Sequence, residues 1–371
     1  MKFWSFCLTV SKILALDAAA KAAKCMNDPE VSATPEDDPE QTVVPPSSNA
    51  AQQEGFETWI HPPLRNCYYL TGATGSGKTP LAIELARQLD AEIISLDSMA
   101  IYRGMDIGTA KPDVEQRAAV PHHMLDICEP TQSYSVSSYV VRAHEVAEEI
   151  RSRGKRVLVC GGTPLYLKSL IRGLFLGPEA DWEFRSAIEA EIEKHGETAL
   201  RQRLEQVDPL LSHKLHPNDH RRIIRALEVA KHTGRPLSHW QEQFETPARR
   251  EDFPIAVFSI DRAWLHERIN TRVDQMLADG LQAEVEGLLS KHGELGRTAA
   301  QAVGYREILA HLYDGVSMDE TVESIKAHTR QFARRQEIWF RGLQELQPIE
   351  VRPDKMIEEL VVEALKIFDV K

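Results

Sequence analysis

The chain has 371 residues, of which 42% are hydrophobic and 27% charged, and its formal net charge is -12. These values are typical of a globular protein, and the length allows two or three structural units. The five cysteines are scattered and form no CxxC pair, which argues against a disulfide framework or a zinc site and favours a reducing, cytoplasmic location.

Residues 1–60 differ in composition from the rest of the chain. Lys12 interrupts an apolar start, and no apolar run approaches the ~18 residues that a membrane span needs. Residues 27–55 are rich in proline, serine and acidic side chains. We therefore predict that residues 1–60 form a disordered acidic, proline-rich tail, and we expect no membrane association.

From residue 61 onward, short apolar runs alternate with stretches of helical spacing. Strands are predicted at 67–72, 91–98, 156–162 and 255–261, and helices at 79–89 and 164–174. Continuous apolar strands separated by helices favour an α/β fold with a parallel sheet flanked by helices on both faces.

Two regions break this alternation. Residues 177–219 are charged and helical throughout, which predicts a small all-helical insertion, and residues 262–345 are again mostly helical. The predicted domains are a core of residues 61–176 and 220–345, the insertion at 177–219, and a C-terminal helix or tail at 346–371.

A glycine-rich loop follows the first strand and precedes the first helix. Its pattern of Gly, four residues, Gly, Lys and Thr matches the phosphate-binding loop (P-loop) in full. Such a loop wraps phosphate oxygens with backbone N–H groups and aims the positive end of the next helix at them. We therefore predict a P-loop NTPase-like core that binds a diphosphate or triphosphate, ATP included, with Lys78 as the charge and Thr79 as a ligand of Mg²⁺. The predicted loop comprises Gly72, Ala73, Thr74, Gly75, Ser76, Gly77, Lys78 and Thr79.

The position of the acidic residues narrows the chemistry. In motor ATPases and GTPases an apolar strand ends in an Asp that helps to hold Mg²⁺, whereas the run 157–163 ends in Gly161, Gly162 and Thr163. The acid instead follows another strand, at Asp97, where α/β sheets bind ligands. This favours a transferase in which Asp97 faces the substrate nucleophile, with a capping or magnesium role as the alternative.

Two basic helices favour binding to a polyanion. Arg221 and Arg225 lie four residues apart, with Arg222 beside them. In the helix at 321–341, basic side chains are predicted on one face and an apolar stripe on another, although a charged helix face is often only solvated surface. The basic residues are Lys326, Arg330, Arg334 and Arg341, and the stripe comprises Val322, Ile325, Phe332 and Trp339.

Eight ordered sequence blocks carry a family resemblance. They are GATGSGKT, DSMAIYRGMDIGTAKP, PHHMLDI, GGTPLYLKSLIRGL, HPNDHRRIIRALEV, RINTRVDQMLADGLQAEV, QAVGYREI and HTRQFARRQEIWFRG. Through them, the chain from about residue 66 to 345 resembles the tRNA dimethylallyltransferases, also called tRNA isopentenyltransferases.

The resemblance implies that the loop holds the diphosphate of dimethylallyl diphosphate, the leaving group. The prenyl group passes to N6 of the adenosine on the 3′ side of the anticodon. Asp97 matches the family's general base, Arg272 matches its diphosphate-contacting arginine, and Thr74 matches a further catalytic contact, with Mg²⁺ as the cofactor.

The resemblance also implies a tRNA partner, the anticodon stem-loop, clamped by the helical insertion, and an enzyme that acts as a monomer. Ala73, Gly75, Pro80, Ala100 and His220 depart from the commoner family pattern, which puts substrate range in question rather than activity. The implied RNA contacts are Asp97, Ser98, Met99, Ala100, Thr163, Arg185, Arg221, Arg222, Ile223, Ile224, Arg225, Arg330, Arg334 and Arg335.

Two other functions stay open from the residues alone. The first is a P-loop small-molecule or nucleoside kinase, which would turn over ATP. The second is an RNA-binding protein whose loop has lost its activity, which would bind tRNA tightly without prenyl transfer.

Overall fold

The computed structural model describes residues 60–370, so the predicted tail at 1–60 lies outside the described part except for Ile60, which belongs to a strand. Six parallel strands form the main sheet, in the order β4-β3-β5-β2-β7-β8, and a two-stranded antiparallel pair, β1 and β6, stands apart from it. The strands are β1 (Ile60–His61), β2 (Tyr68–Thr71), β3 (Ala91–Leu96), β4 (His122–His123), β5 (Arg156–Gly161), β6 (Leu174–Phe175), β7 (Ile255–Ile260) and β8 (Gln347–Val351).

Helices cover both faces of the sheet, as the apolar strands predicted. They are α1 (Lys78–Leu89), α2 (Val114–Ala119), α3 (Val136–Ser152), α4 (Pro164–Arg172), α5 (Trp182–His195), α6 (Glu197–Val207), α7 (Pro209–Lys214), α8 (His220–Thr233), α9 (Leu237–Trp240), α10 (Glu242–Glu245), α11 (Arg262–Ala278), α12 (Leu281–His292), α13 (Arg297–Ala300), α14 (Tyr305–Asp314), α15 (Met318–Arg341) and α16 (Ile357–Ile367). None of these helices is both long and apolar enough to span a membrane.

Side chains of each strand alternate between two hydrophobic clusters. Tyr69 and Ile94 pack with α3 and α4 on one face, whereas Leu70 and Ile93 pack with α1 and α16 on the other. Because successive strand residues point to opposite faces, a strand buried on both faces is apolar at nearly every position. This explains the continuous runs seen in the sequence.

The strand order brings three loops to one edge of the sheet. Strand β5 lies between β2 and β3, so Thr71 is opposite Gly161 on one side and Leu96 is opposite Gly161 on the other. The glycine-rich loop follows β2, and Asp97 follows β3. In parallel α/β sheets this carboxyl edge is where ligands bind.

The helical insertion extends further along the chain than predicted. Its core joins residues of α5, α6 and α7 to α8 and α9, including Ile223, Ile224 and Trp240. Residues 220–240 therefore pack with the insertion rather than with the α/β core. The predicted end of the insertion at residue 219 was wrong, because α8 has basic side chains on one face but packs its apolar face into the core of the insertion.

The C-terminal residues belong to the sheet and its cover. We predicted a helix or tail at 346–371, but Gln347–Val351 forms the edge strand β8, paired in parallel with β7. Helix α16 then packs its apolar face into the cluster that also holds α1. Strand β8 is short and contains Pro348, which is why its sequence gives a weak strand signal.

The long helix α15 presents a different buried face from the one predicted. Phe332 is 38% exposed and Trp339 41% exposed. The predicted apolar stripe is therefore wrong at Phe332 and Trp339. The face that is buried instead contacts polar backbone through Gln336. The buried residues are Thr321, Ile325, Ala333, Gln336 and Phe340.

Candidate active site

The glycine-rich loop turns tightly between β2 and α1. Gly75 and Gly77 take left-handed backbone angles, with φ of 79° and 88°. A Cβ on Gly77 would lie 2.9 Å from an Arg268 nitrogen. Helix α1 begins directly at Lys78, so its positive end faces the loop.

Lys78 lies folded over the loop. Its Nζ donates to the Gly72 carbonyl at 2.9 Å and to the Ala73 carbonyl at 2.8 Å. Burial, and to a smaller extent the like charge of nearby Arg272, lowers the pKa of Lys78 to about 8. The loop therefore holds a cation that would gain energy from a phosphate oxygen.

Two arginines of α11 reach the same place from the other side. Arg268 donates through Nε to the Gly75 carbonyl at 2.8 Å. Arg272, one helical turn later, lies in the cavity beside the loop, and burial lowers the pKa of its guanidinium. Lys78, Arg268 and Arg272 thus surround one space with positive charge.

That space is a cavity of about 820 Å³. Its lining includes Thr74, Lys78, Thr79, Asp97 and Arg272, all of which the sequence analysis assigned to the site. The structure therefore brings together the residues predicted to bind a diphosphate and the predicted base, Asp97. They come from α1, α11 and the loops that follow β2 and β3.

Asp97 is held by its own loop. Its Oδ1 accepts the N–H groups of Met99 at 2.8 Å and Ala100 at 3.1 Å. These bonds fix the carboxylate through one oxygen. The Asp97 side chain lines the first cavity and also a second one of about 530 Å³.

The two cavities meet around a small set of residues. The second cavity also contains Ser98, Met99, Thr163 and Arg335, which were predicted to contact RNA. The two cavities therefore adjoin, and we refer to them together as the channel: Lys78 and Arg268 line the first cavity, and these predicted RNA contacts line the second. The residues that line both cavities are Thr74, Asp97, Thr109, Arg272 and Phe332.

Two segments line the channel although no role was predicted for them from the sequence. Thr109 and the run from Gln301 to Arg306 line the second cavity, together with His328. Both segments lie in blocks that carried the family resemblance, DIGTAKP and QAVGYREI, but neither contains a pattern with a chemical meaning of its own. The blocks were the available signal, and only the fold shows where they lie.

The predicted RNA contacts divide by exposure. Arg221, Arg222, Arg334 and Arg335 are exposed. Ile223, Ile224 and Ala100, by contrast, are buried, at 1%, 5% and 4% exposure. As side-chain contacts to RNA the predictions for Ile223 and Ile224 do not fit the structure, because both pack in the core of the helical insertion, whereas Ala100 lines the first cavity.

Arg185 and Arg225 are held by one buried acid. Glu228, whose side chain is fully buried, accepts two bonds from Arg185, at 2.8 Å each, and one from Arg225 at 2.6 Å. Both arginines remain partly exposed. The acid fixes their orientation while leaving other guanidinium N–H groups free to meet phosphate.

Comparisons with known proteins agree on one family. The family model for IPP transferase matches residues 100–343. A tRNA dimethylallyltransferase of Rhodopirellula baltica is 47% identical over 285 residues, which cover 75% of this chain and 85% of the relative.

Solved structures point the same way. The tRNA isopentenylpyrophosphate transferase of Bacillus halodurans is 35% identical with a TM-score of 0.59, and the match covers 82% of this chain and 97% of that one. A eukaryotic dimethylallyltransferase acting on tRNA is 26% identical with a TM-score of 0.69, covering 82% of this chain and 79% of that one.

Proposed function

The chain belongs to the IPP transferase family of tRNA dimethylallyltransferases, and from this premise we propose how its residues carry out prenyl transfer to tRNA. The donor in this proposal is dimethylallyl diphosphate. The acceptor is N6 of the adenosine on the 3′ side of the anticodon. The products are N6-isopentenyladenosine in the RNA and free diphosphate.

The observation that carries the proposal is the channel. One end has the glycine-rich loop, Lys78 and Arg272, which suit a diphosphate, and the other has Ser98, Thr163 and Arg335. Asp97 lies where the two cavities meet. A transferase must hold the reacting atoms of its two substrates close together and in the right orientation, and this arrangement supports that function.

The chemistry assigned to the centre of the channel balances. A bond forms between adenine N6 and the allylic carbon while the bond from that carbon to the diphosphate oxygen breaks. Asp97 accepts the N6 proton, which a weakly nucleophilic conjugated amine must lose. The bonding electrons leave with the diphosphate, and the loop N–H groups, Lys78 and Arg272 stabilise that charge.

On this proposal the loop acts as a P-loop that binds a leaving group rather than a nucleotide. The kinase alternative is not favoured by the similar protein of Rhodopirellula baltica, which is a tRNA dimethylallyltransferase. It is also less consistent with the position of Asp97, which lies between the cationic loop and the predicted RNA contacts.

Magnesium is proposed as the cofactor. In the described residues no group of three or more His, Cys, Asp or Glu side chains is arranged to hold a metal ion. The Thr79 hydroxyl, which lines the first cavity, suits an ion held mainly by water and substrate phosphate oxygens. Bound there, Mg²⁺ would neutralise part of the charge on the leaving diphosphate.

RNA binding in the proposal uses the exposed arginines. The target adenine must leave the stack of the anticodon loop to reach the channel, as bases do in other base-modifying enzymes. The exposed side chains of Arg221, Arg222, Arg334 and Arg335 would contact backbone phosphates of the RNA. We also propose that the chain acts as a monomer.

One experiment tests the proposal. The protein is incubated with an anticodon stem-loop RNA, Mg²⁺ and dimethylallyl diphosphate, and the RNA is analysed by mass spectrometry. We expect one dimethylallyl group per RNA, and inorganic pyrophosphate should compete with the donor because it offers the same charge to the loop and to Arg272. RNA-stimulated ATP hydrolysis that disappears in Lys78→Ala, without prenyl transfer, would refute the proposal and favour the kinase.

A further inference from the structure

Helix α15 carries one polar side chain into the interior at the active site. Gln336 is 4% exposed, although most glutamines lie at protein surfaces. Its Oε1 accepts the backbone N–H of Thr74 at 2.8 Å, and its Nε2 donates to the Gly162 carbonyl at 2.6 Å. Only this orientation of the amide satisfies both partners, since one is a donor and the other an acceptor.

These two bonds join the parts of the site that handle different substrates. Thr74 belongs to the glycine-rich loop. Gly162 precedes Thr163, whose hydroxyl accepts the N–H of Ser98 at 3.1 Å, directly beside the proposed base. One side chain therefore links the diphosphate loop to the turn that supports the Asp97 segment.

The fit around the amide is close. A Cβ on Gly162 would lie 2.9 Å from the Gln336 nitrogen and 3.1 Å from the Gly72 carbonyl. Glycine at 162 is what lets the turn, the loop and the carboxamide approach one another. The spacing between the two halves of the site is thus set by direct contact.

The same helix has further links to the donor side and to the RNA side. Arg330 donates to Asn270 at 2.5 Å, and Asn270 lies on α11 between the two arginines of the diphosphate site. Arg334 and Arg335, next to Gln336 in the chain, are exposed and belong to the proposed RNA surface. Helix α15 therefore touches both substrates' sites through neighbouring residues.

We propose that Gln336 is a positioning residue for prenyl transfer, which fixes the Thr74 amide and the Gly162 turn so that donor and acceptor meet at reacting distance. The inference rests on the proposed function. It predicts that loss of the amide affects donor binding and the transfer step while RNA affinity is kept.

The requirement for a carboxamide gives two informative variants. In Gln336→Met the side chain keeps a similar length but neither bond, which leaves a donor and an acceptor buried without partners. In Gln336→Glu the ionised carboxylate still accepts from Thr74 but repels the Gly162 carbonyl. When that introduced carboxyl is protonated, it again offers one donor and one acceptor.

The experiment compares both variants with the wild type and with Gln88→Met, which removes an exposed carboxamide bonded to Glu84 on α1. The rate of transfer is measured with saturating RNA, and titrations give the donor KM and the pyrophosphate inhibition constant. RNA binding is measured by filter retention, and folding by thermal melting. All assays run well below the melting midpoint of each variant.

For Gln336→Met we expect kcat to fall about ten- to a hundredfold, donor KM and the pyrophosphate inhibition constant to rise several-fold, and the RNA Kd to stay within about twofold. Gln88→Met should match the wild type. The activity of Gln336→Glu relative to wild type should increase as pH falls from about 8.5 to 6, as the introduced carboxyl regains its proton, whereas the Gln336→Met ratio should stay flat.

Wild-type transfer separates failure of the inference from failure of the proposed function. If the wild type modifies RNA and Gln336→Met retains kcat and donor KM within twofold, Gln336 only stabilises the fold and the inference is refuted. Loss of RNA affinity with unchanged donor constants would refute it as well. If Gln336→Met fails to fold, the pH dependence of Gln336→Glu decides, and a flat ratio rejects the positioning role.

Discussion

Replacing Asp97 by asparagine should separate its chemical role from its structural one. In the folded protein the Oδ1 atom of Asp97 accepts the N–H groups of Met99 and Ala100. An asparagine keeps that oxygen and replaces the other by NH₂. The local turn should therefore persist, because asparagine and aspartate accept such backbone bonds about equally well.

The magnitudes follow from what is kept and what is lost. We expect Asp97→Asn to change the free energy of unfolding by less than about 0.5 kcal/mol. Transfer should slow by roughly 10²–10⁴, the range for a lost general base, which corresponds to about 2.7–5.4 kcal/mol in the activation free energy. RNA affinity should stay within a few-fold.

Single-turnover transfer with excess enzyme measures the chemical step, and denaturant unfolding measures stability. Asp97→Ala should lose as much rate and also about 1–2 kcal/mol of stability, because two backbone N–H groups lose their acceptor. Asp261→Asn is the matched control, since Asp261 caps α11 through the N–H of Trp264 at the exposed start of that helix. Near-wild-type transfer by Asp97→Asn would show that Asp97 is structural and that another group removes the proton.

Five further outcomes are expected. Because the pKa of Lys78 is lowered to about 8, kcat/KM for the donor should fall as pH rises from about 7 to 9, and this limb should flatten in Lys78→Arg, whose guanidinium stays charged. Because the pKa of Lys78 is lower in the folded state than in the unfolded state, the unfolded state binds more protons above about pH 8. The contribution of Lys78 to the free energy of unfolding should therefore rise with pH, which urea unfolding at several pH values would reveal. Arg272→Ala should slow transfer and weaken pyrophosphate inhibition with little change in RNA affinity. A large loss of RNA affinity would instead show that Arg272 binds the RNA. Arg172→Ala should cost about 3–5 kcal/mol of stability by leaving the fully buried Glu345 without its arginine partner, whereas Arg249→Ala, at the surface, should leave stability nearly unchanged. Deleting residues 1–58 should preserve the melting midpoint and turnover because that segment is too polar to contribute to a core, but the cut must spare Ile60, which pairs with Phe175.

Features that depend on neighbouring residues could be predicted from the sequence. The glycine-rich loop could be predicted because its backbone angles require glycine at fixed spacings. The strand before it and the helix after it also have clear hydrophobic periodicities. Asp97 could be assigned to the binding edge because parallel strands place their carboxyl ends together. The α/β class followed from the apolar strands, which are buried on both faces.

Long-range contacts set the rest. Which face of α15 is buried could not be read from hydrophobicity, because that face meets the backbone of the glycine-rich loop and accommodates Gln336 there. Glu228 reads as one more charge on a helix, yet in the fold it orients two arginines from different helices.

Strand β8 shows the same limit, since it is stabilised by pairing with β7 rather than by its own propensity. Thr74 and Gln336 lie 262 residues apart in the chain. A hydrogen bond between them depends on the distance between two elements that only the complete fold brings together. The sequence therefore determined the chemical groups of the site, and the tertiary structure determined their spacing, because spacing is a property of packed elements and not of a local segment.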